Sequence, residues 1–118
     1  MALARVYAGH GWDVALTARR GDRLSRLCDE ISLRFGVEAH ALPADLSEPD
    51  TPRKLHEGVL ALGRTVDGLV NNAGYGLPGG FLGNRFERHQ AMTQVMMLAP
   101  MELCHRVLPA MIEQKFGR

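Results

Sequence analysis

Val66-Asp67-Gly68-Leu69-Val70-Asn71-Asn72-Ala73-Gly74 decides how the rest of the chain is read. A short apolar run ends abruptly in two amide side chains and two very small residues. A strand buried on both faces of a parallel sheet has this composition, and small residues at its exit let the backbone approach a ligand. Taken alone, the nine residues fit an ordinary strand and an Asn-Gly-type turn equally well. The surrounding sequence separates the two.

Upstream, helix and strand alternate. Leu3, Val6 and Tyr7 make a short helical stripe that should end at Gly9 or Gly11. Val14–Ala18 reads as a buried strand. Leu24, Leu27, Cys28, Ile31 and Phe35 fall on one face of a helix over residues 22–35, closed by Gly36. Val37–Ala44 reads as a second strand, with Pro43 at a sheet edge or in the last position because it has no N–H to donate. Asp50-Thr51-Pro52 predicts a helix start with a capping side chain and proline in the first turn, and Leu55, Val59 and Leu62 continue it to Gly63. Val66–Val70 is the third strand. A glycine-rich loop, Gly74 to Gly83, leads to a long helix from about Arg85 to Lys115, which Pro100 and Pro109 should kink or break.

This alternation implies an α/β fold, a parallel sheet with helices on its faces joined by right-handed crossovers. Ligands of such sheets bind at the carboxyl ends of the strands. Three segments leave those ends: Ala18-Arg19-Arg20, Ala44-Asp45-Leu46 and Asn71-Asn72-Ala73-Gly74.

Bulk properties set limits around that reading. The 118 residues allow at most one domain. Apolar residues make up 46% and charged residues 23%, and the formal net charge is +1, so there is no basic footprint for nucleic acid or an anionic membrane. No uninterrupted apolar run reaches membrane-spanning length. Cys28 and Cys104 lie far apart inside helical patterns, which points to reduced thiols in a cytoplasmic protein. The five histidines are scattered without metal-ligand spacing, so no metal site is expected.

Together the three segments resemble the short-chain dehydrogenase/reductase family over essentially the whole chain. Asn71-Asn72-Ala73-Gly74 looks like the NNAG motif that ends that family's fourth strand. Asp45-Leu46 looks like its Asp-Leu/Val pair, whose carboxylate accepts a hydrogen bond from the adenine amino group. Asp45 as a helix N-cap or turn residue is the competing reading. Leu98-Ala99-Pro100 and Leu108-Pro109-Ala110-Met111 resemble the long helix after the motif. The resemblance implies a Rossmann-like, doubly wound parallel sheet with helices on both faces. It also implies a cofactor site of Arg19, Arg20, Asp45, Leu46, Asn72, Ala73 and Gly74, with Asn71 available to tie neighbouring strands. NAD-using members end the second strand in an acidic residue that binds the ribose hydroxyls; here Ala18 stands there and two arginines follow. A guanidinium fork suits a 2′-phosphate, so NADP(H) is expected over NAD(H).

Against the family pattern, the chain is an internal piece, 1–118 forming one partial nucleotide-binding domain. The family's first strand and its TGxxxGxG turn would precede Met1, and the serine and Tyr-x-x-x-Lys that carry catalysis would follow Arg118. No catalytic residue is therefore assigned, and residue 96, which is asparagine in the family's proton relay, is a methionine. The resemblance implies a cytoplasmic, homo-oligomeric parent that moves a hydride between a nicotinamide and a small carbonyl or alcohol, with this piece inactive and marginally stable. The alternative from a different class is a non-catalytic nucleotide-binding or interaction protein. It would use the methionine-rich stretch Met92, Val95, Met96, Met97 and Met101 as a packing surface.

Overall fold

The computed structural model describes residues 2–118; Met1, which the reading above counts with the first helix, lies outside them. The described residues form two compact units, one ending at Asp45 and the other beginning at Leu46.

In the first unit, α1 (Ala2–Gly9) leads to β1 (Val14–Leu16), α2 (Gly21–Phe35) and β2 (Ala39–Ala41). The strands pair in parallel, with Val14, Ala15 and Leu16 opposite Ala39, His40 and Ala41. Backbone pairing outlasts the regular strands. Leu42 N–H donates to the Leu16 carbonyl at 2.8 Å, and Ala44 N–H to the Ala18 carbonyl at 3.1 Å. Both expected strands are therefore present in shortened form. Because Leu42 and Ala44 point their N–H groups at β1, Pro43 falls between them on the outward side, where a missing donor costs no bond.

The apolar stripe of α2 does what its spacing requires. Leu24, Leu27, Cys28 and Ile31 are buried, and Ala8, Leu27 and Ile31 form a core that Val14, Leu16, Phe35, Val37 and Ala39 complete. Gly36 closes the helix in the left-handed region at φ 69°, its N–H donating to the Ser32 carbonyl at 3.0 Å.

In the second unit, α3 (Thr51–Ala61) is followed by an irregular segment and a 3-10 turn at Phe81–Gly83. A long helix follows, made of α4 (Phe86–Thr93), a π-helical turn (Gln94–Leu98) and α5 (Ala99–Glu113). α3 packs on α5, burying Thr51, Pro52 and Leu55 on the first and Ala99, Val107 and Met111 on the second. By length and composition alone, the 28 residues Phe86–Glu113 are long and apolar enough to cross a membrane. They also carry the Arg106–Glu102 ion pair at 2.7 Å, on a helix whose buried side faces α3.

Two expectations are corrected. The first is the third strand. Val66–Val70 is irregular, with a bend at Asp67, and is no ladder strand, because a strand exists only through its partners. Among the described residues, its inter-segment backbone bonds run only to Arg118: Leu69 N–H donates to the Arg118 carbonyl at 2.8 Å and Arg118 N–H to the Asp67 carbonyl at 3.0 Å.

The second concerns Asp50, which precedes α3 but makes no side-chain cap; its carboxylate is turned to Arg53 instead. The prolines are expected to kink the long helix or break it into segments; a π turn divides it before Pro100, and α5 runs on through Pro109. The π turn lies directly before Pro100, with Ala99 N–H reaching back to the Gln94 carbonyl, and the wider turn accommodates a residue that has no N–H. Pro109 sits inside α5, two residues from buried Val107 and Met111, whose packing keeps the helix continuous.

Candidate cofactor-binding site

In the first unit the sequence-predicted residues leave one end of the two-stranded sheet. Parallel strands present their carboxyl ends together. The Ala44–Ala18 hydrogen bond therefore sets Arg19 and Asp45 one residue beyond the last paired residues of the two neighbouring segments. Gly21 opens α2 against the ring of Pro43; a Cβ there would come within 3.2 Å of Pro43 Cγ, a tight contact that a small shift of the ring would have to relieve.

Arg19 and Arg20 are exposed and share an open groove of about 580 Å³. Arg5, Arg23, Arg26 and Glu30 complete its polar lining, over Ala18, Leu24 and Leu27. Glu30 accepts hydrogen bonds from Arg5, whose Nε and Nη2 donate to its two carboxylate oxygens at 3.0 and 2.9 Å, and the charge of Arg34 acts on it as well. That hydrogen bonding holds the Glu30 carboxyl below its ordinary range and raises the Arg5 guanidinium. Arg19, Arg20, Arg23 and Arg26 have no carboxylate partner among the described residues. The groove thus gathers guanidiniums on the carboxyl side of β1, a donor set whose charge suits an anion. Asp45 is half-buried and has polar interactions of its own, but it does not line the groove.

The second unit carries the rest. Leu46 is half-buried at its start, and Asn71 to Gly74 are exposed. Asn71 Nδ2 lies 3.6 Å from Cys104 Sγ, so the amide expected to link strands contacts the long helix instead. A Cβ on Gly74 would stand 3.7 Å from Met96 Cε, so the thioether tip lies beside the last residue of the NNAG segment. A thioether accepts hydrogen bonds weakly and donates none, and it cannot repeat what an asparagine amide does there.

Sequence reasoning missed Arg5, Arg23, Arg26 and Glu30. A partial signal existed: arginines at 19, 23 and 26 and the glutamate at 30 recur at helical spacing. The pairing of Arg5 with Glu30 needs the packing of α1 on α2, which periodicity does not report. Among the described residues, no His, Cys, Asp and Glu group forms a metal site.

The family described as short chain dehydrogenase matches residues 1–118. A short chain dehydrogenase of Pseudocercospora fijiensis is 37% identical, over 98% of this chain and 38% of its own length. A metagenomic short-chain oxidoreductase solved in complex with NADP is 38% identical with a TM-score of 0.89, covering 98% of this chain and 52% of that one. The L-sorbose reductase of Gluconobacter frateurii, solved with NADPH and L-sorbose, has a TM-score of 0.89 at 27% identity, over 96% of this chain and 43% of its own. The chain therefore spans from about two fifths to half the length of these relatives. Its parallel strands and flanking helices are an incomplete Rossmann-like α/β fold, and on the match over all 118 residues the chain belongs to the short chain dehydrogenase family.

Proposed function

We propose that residues 1–118 are one partial nucleotide-binding domain supplying the adenosine side of an NADP(H) site in a short-chain oxidoreductase. One observation carries the reading: Ala18 stands where a carboxylate would exclude a 2′-phosphate, and Arg19 and Arg20 follow it into a groove with unpartnered guanidiniums. That donor set fits a phosphate dianion. Arg19 would take the 2′-phosphate with Arg20 as second contact, and Asp45 would accept from the adenine amino group. Leu46 and the backbone of Asn72, Ala73 and Gly74 would border the nucleotide. The nicotinamide, when bound, supplies the hydride for a small carbonyl or receives it from an alcohol. The chain's own part in that reaction is binding and orientation. NADPH and NADP in the complexes of the two solved relatives support the cofactor class.

A cytoplasmic, homo-oligomeric parent completes the reading; the free thiols of Cys28 and Cys104 accord with a reducing compartment. Titration of the protein with NADPH and NADH tests the cofactor preference. NADPH should bind about tenfold tighter or more, and equal or tighter NADH binding would overturn it.

A second reading rests on the long helix, where Met96, Met97 and Met101 are exposed. On that reading the chain is a non-catalytic nucleotide-binding or interaction protein that uses this face. A stable soluble oligomer in size-exclusion chromatography, without measurable NADPH binding, would favour it.

A further inference from the structure

The cofactor reading uses only the Arg19–Arg20 end of the groove. Arg23 and Arg26 lie further along α2, three residues apart and so on one side of the helix. At 1.5 Å of rise per residue, Arg26 stands about 9 Å along the axis from Arg20. The carboxylate four residues beyond it, Glu30, accepts from Arg5 at both oxygens and makes no ion pair with Arg26.

The charge is locally concentrated. The whole chain carries a formal net charge of +1, yet this one groove collects five guanidiniums and a single carboxylate. Like charges gathered beside an apolar floor repel, and their mutual cost falls only when an anion enters. A single phosphate does not use them all. Two planar guanidinium forks at Arg19 and Arg20 already meet most of the acceptor positions of its three terminal oxygens.

We infer that Arg23 and Arg26 form a second anion subsite in this groove, for a multivalent phosphate-class anion bound in addition to a nucleotide 2′-phosphate. The subsite goes beyond the cofactor reading, on which its place beside a 2′-phosphate rests. Its occupant is recognised by charge and oxygen geometry, as a free pyrophosphate or as a second phosphoryl group on the nucleotide.

Two probes, pyrophosphate and adenosine 2′,5′-bisphosphate, separate the subsites by calorimetry on the purified protein. Arg23→Gln and Arg26→Gln should each weaken pyrophosphate binding about tenfold and, if the source is a free anion, leave the bisphosphate within about twofold. Arg19→Gln should do the reverse. Pyrophosphate should still bind when the bisphosphate is saturating if the source is a free anion, whereas a second phosphoryl on one nucleotide would show as a loss of bisphosphate affinity in Arg26→Gln. Pyrophosphate affinity unchanged in both Arg23→Gln and Arg26→Gln overturns the subsite, as does its loss in Arg19→Gln alone. Failure of the bisphosphate to bind at all would instead count against the cofactor reading and leave the pyrophosphate result to stand by itself. Glutamine keeps the helix propensity of these exposed positions, and circular dichroism of each variant checks the fold.

Discussion

Asp50 and Arg53 face each other in a two-point pair: Arg53 Nε donates to Asp50 Oδ1 at 2.8 Å and Nη2 to Oδ2 at 2.7 Å. The same guanidinium also donates to both carboxylate oxygens of Glu57 at 2.8 Å, and Lys54 Nζ lies 3.3 Å from Asp50 Oδ2. The hydrogen bond from Arg53, aided by Lys54, lowers the Asp50 pKa from 3.8 to about 2. A depressed folded-state pKa stabilises the fold above the unfolded value, and that contribution disappears as pH falls through the folded one. Asp50 should therefore remain ionised at pH 3 and titrate near 2, as followed by the chemical shift of its carboxyl carbon. In Arg53→Gln the midpoint should return toward 3.8.

The proposed preference for NADPH should reverse with a change at one position. Ala18→Asp places a carboxylate at the end of β1 beside Arg19, where it pairs with the arginine and repels a phosphate. NADPH affinity should fall about tenfold or more while NADH affinity rises. Fluorescence titration of both nucleotides checks this, and an unchanged ratio would place the 2′-phosphate elsewhere.

Ile31 anchors the first unit with no exposed surface. Truncation to alanine leaves a cavity among Ala8, Leu27 and the residues packed on them. It should cost about 2–4 kcal/mol. Urea titration of the wild type and Ile31→Ala measures the difference.

Gly117 sits where a side chain cannot. An added Cβ would stand 2.5 Å from Met111 Sδ and 2.6 Å from its Cγ. Gly117→Ala should push the last residues away from Asp67 and Leu69, breaking the Leu69–Arg118 hydrogen bond. Hydrogen exchange reads this directly: the Leu69 amide should lose protection while the amides of α2 keep theirs.

The two thiols should separate kinetically. Cys28 is buried, and desolvation, with the charge of Asp29 adding to it, pushes its pKa up. Cys104 is half-buried. Alkylation of the folded protein should therefore modify Cys104 about tenfold faster than Cys28. Equal rates would mean that α2 opens readily.

How much was legible in the sequence divides along local and non-local lines. The α2 stripe, the glycine caps and the arginines after β1 depend on spacing within a few residues, and the structure follows them. Val66–Val70 has strand composition, but becoming a strand depends on partners distant in sequence, and composition cannot supply those. The π turn was equally hidden, since Pro100 announces a disturbance without saying that a widened turn absorbs it. In the site, Arg19 and Arg20 were visible because a parallel sheet exposes its carboxyl ends. Arg5 with Glu30 was not, because that pair is created by the contact of two helices. Asp50 fits a capping pattern and yet answers to Arg53, where a charged two-point bond outcompetes a single backbone donor.

The outward position of Pro43 bears on how this sheet meets other molecules. Along the free side of β2, the parity that turns Leu42 and Ala44 inward leaves Ala39 and Ala41 as donors, and the next outward residue is proline. An incoming strand would find its hydrogen bonds stopped after two residues and a ring in its path. The chain thus carries on this flank a built-in terminator of strand addition.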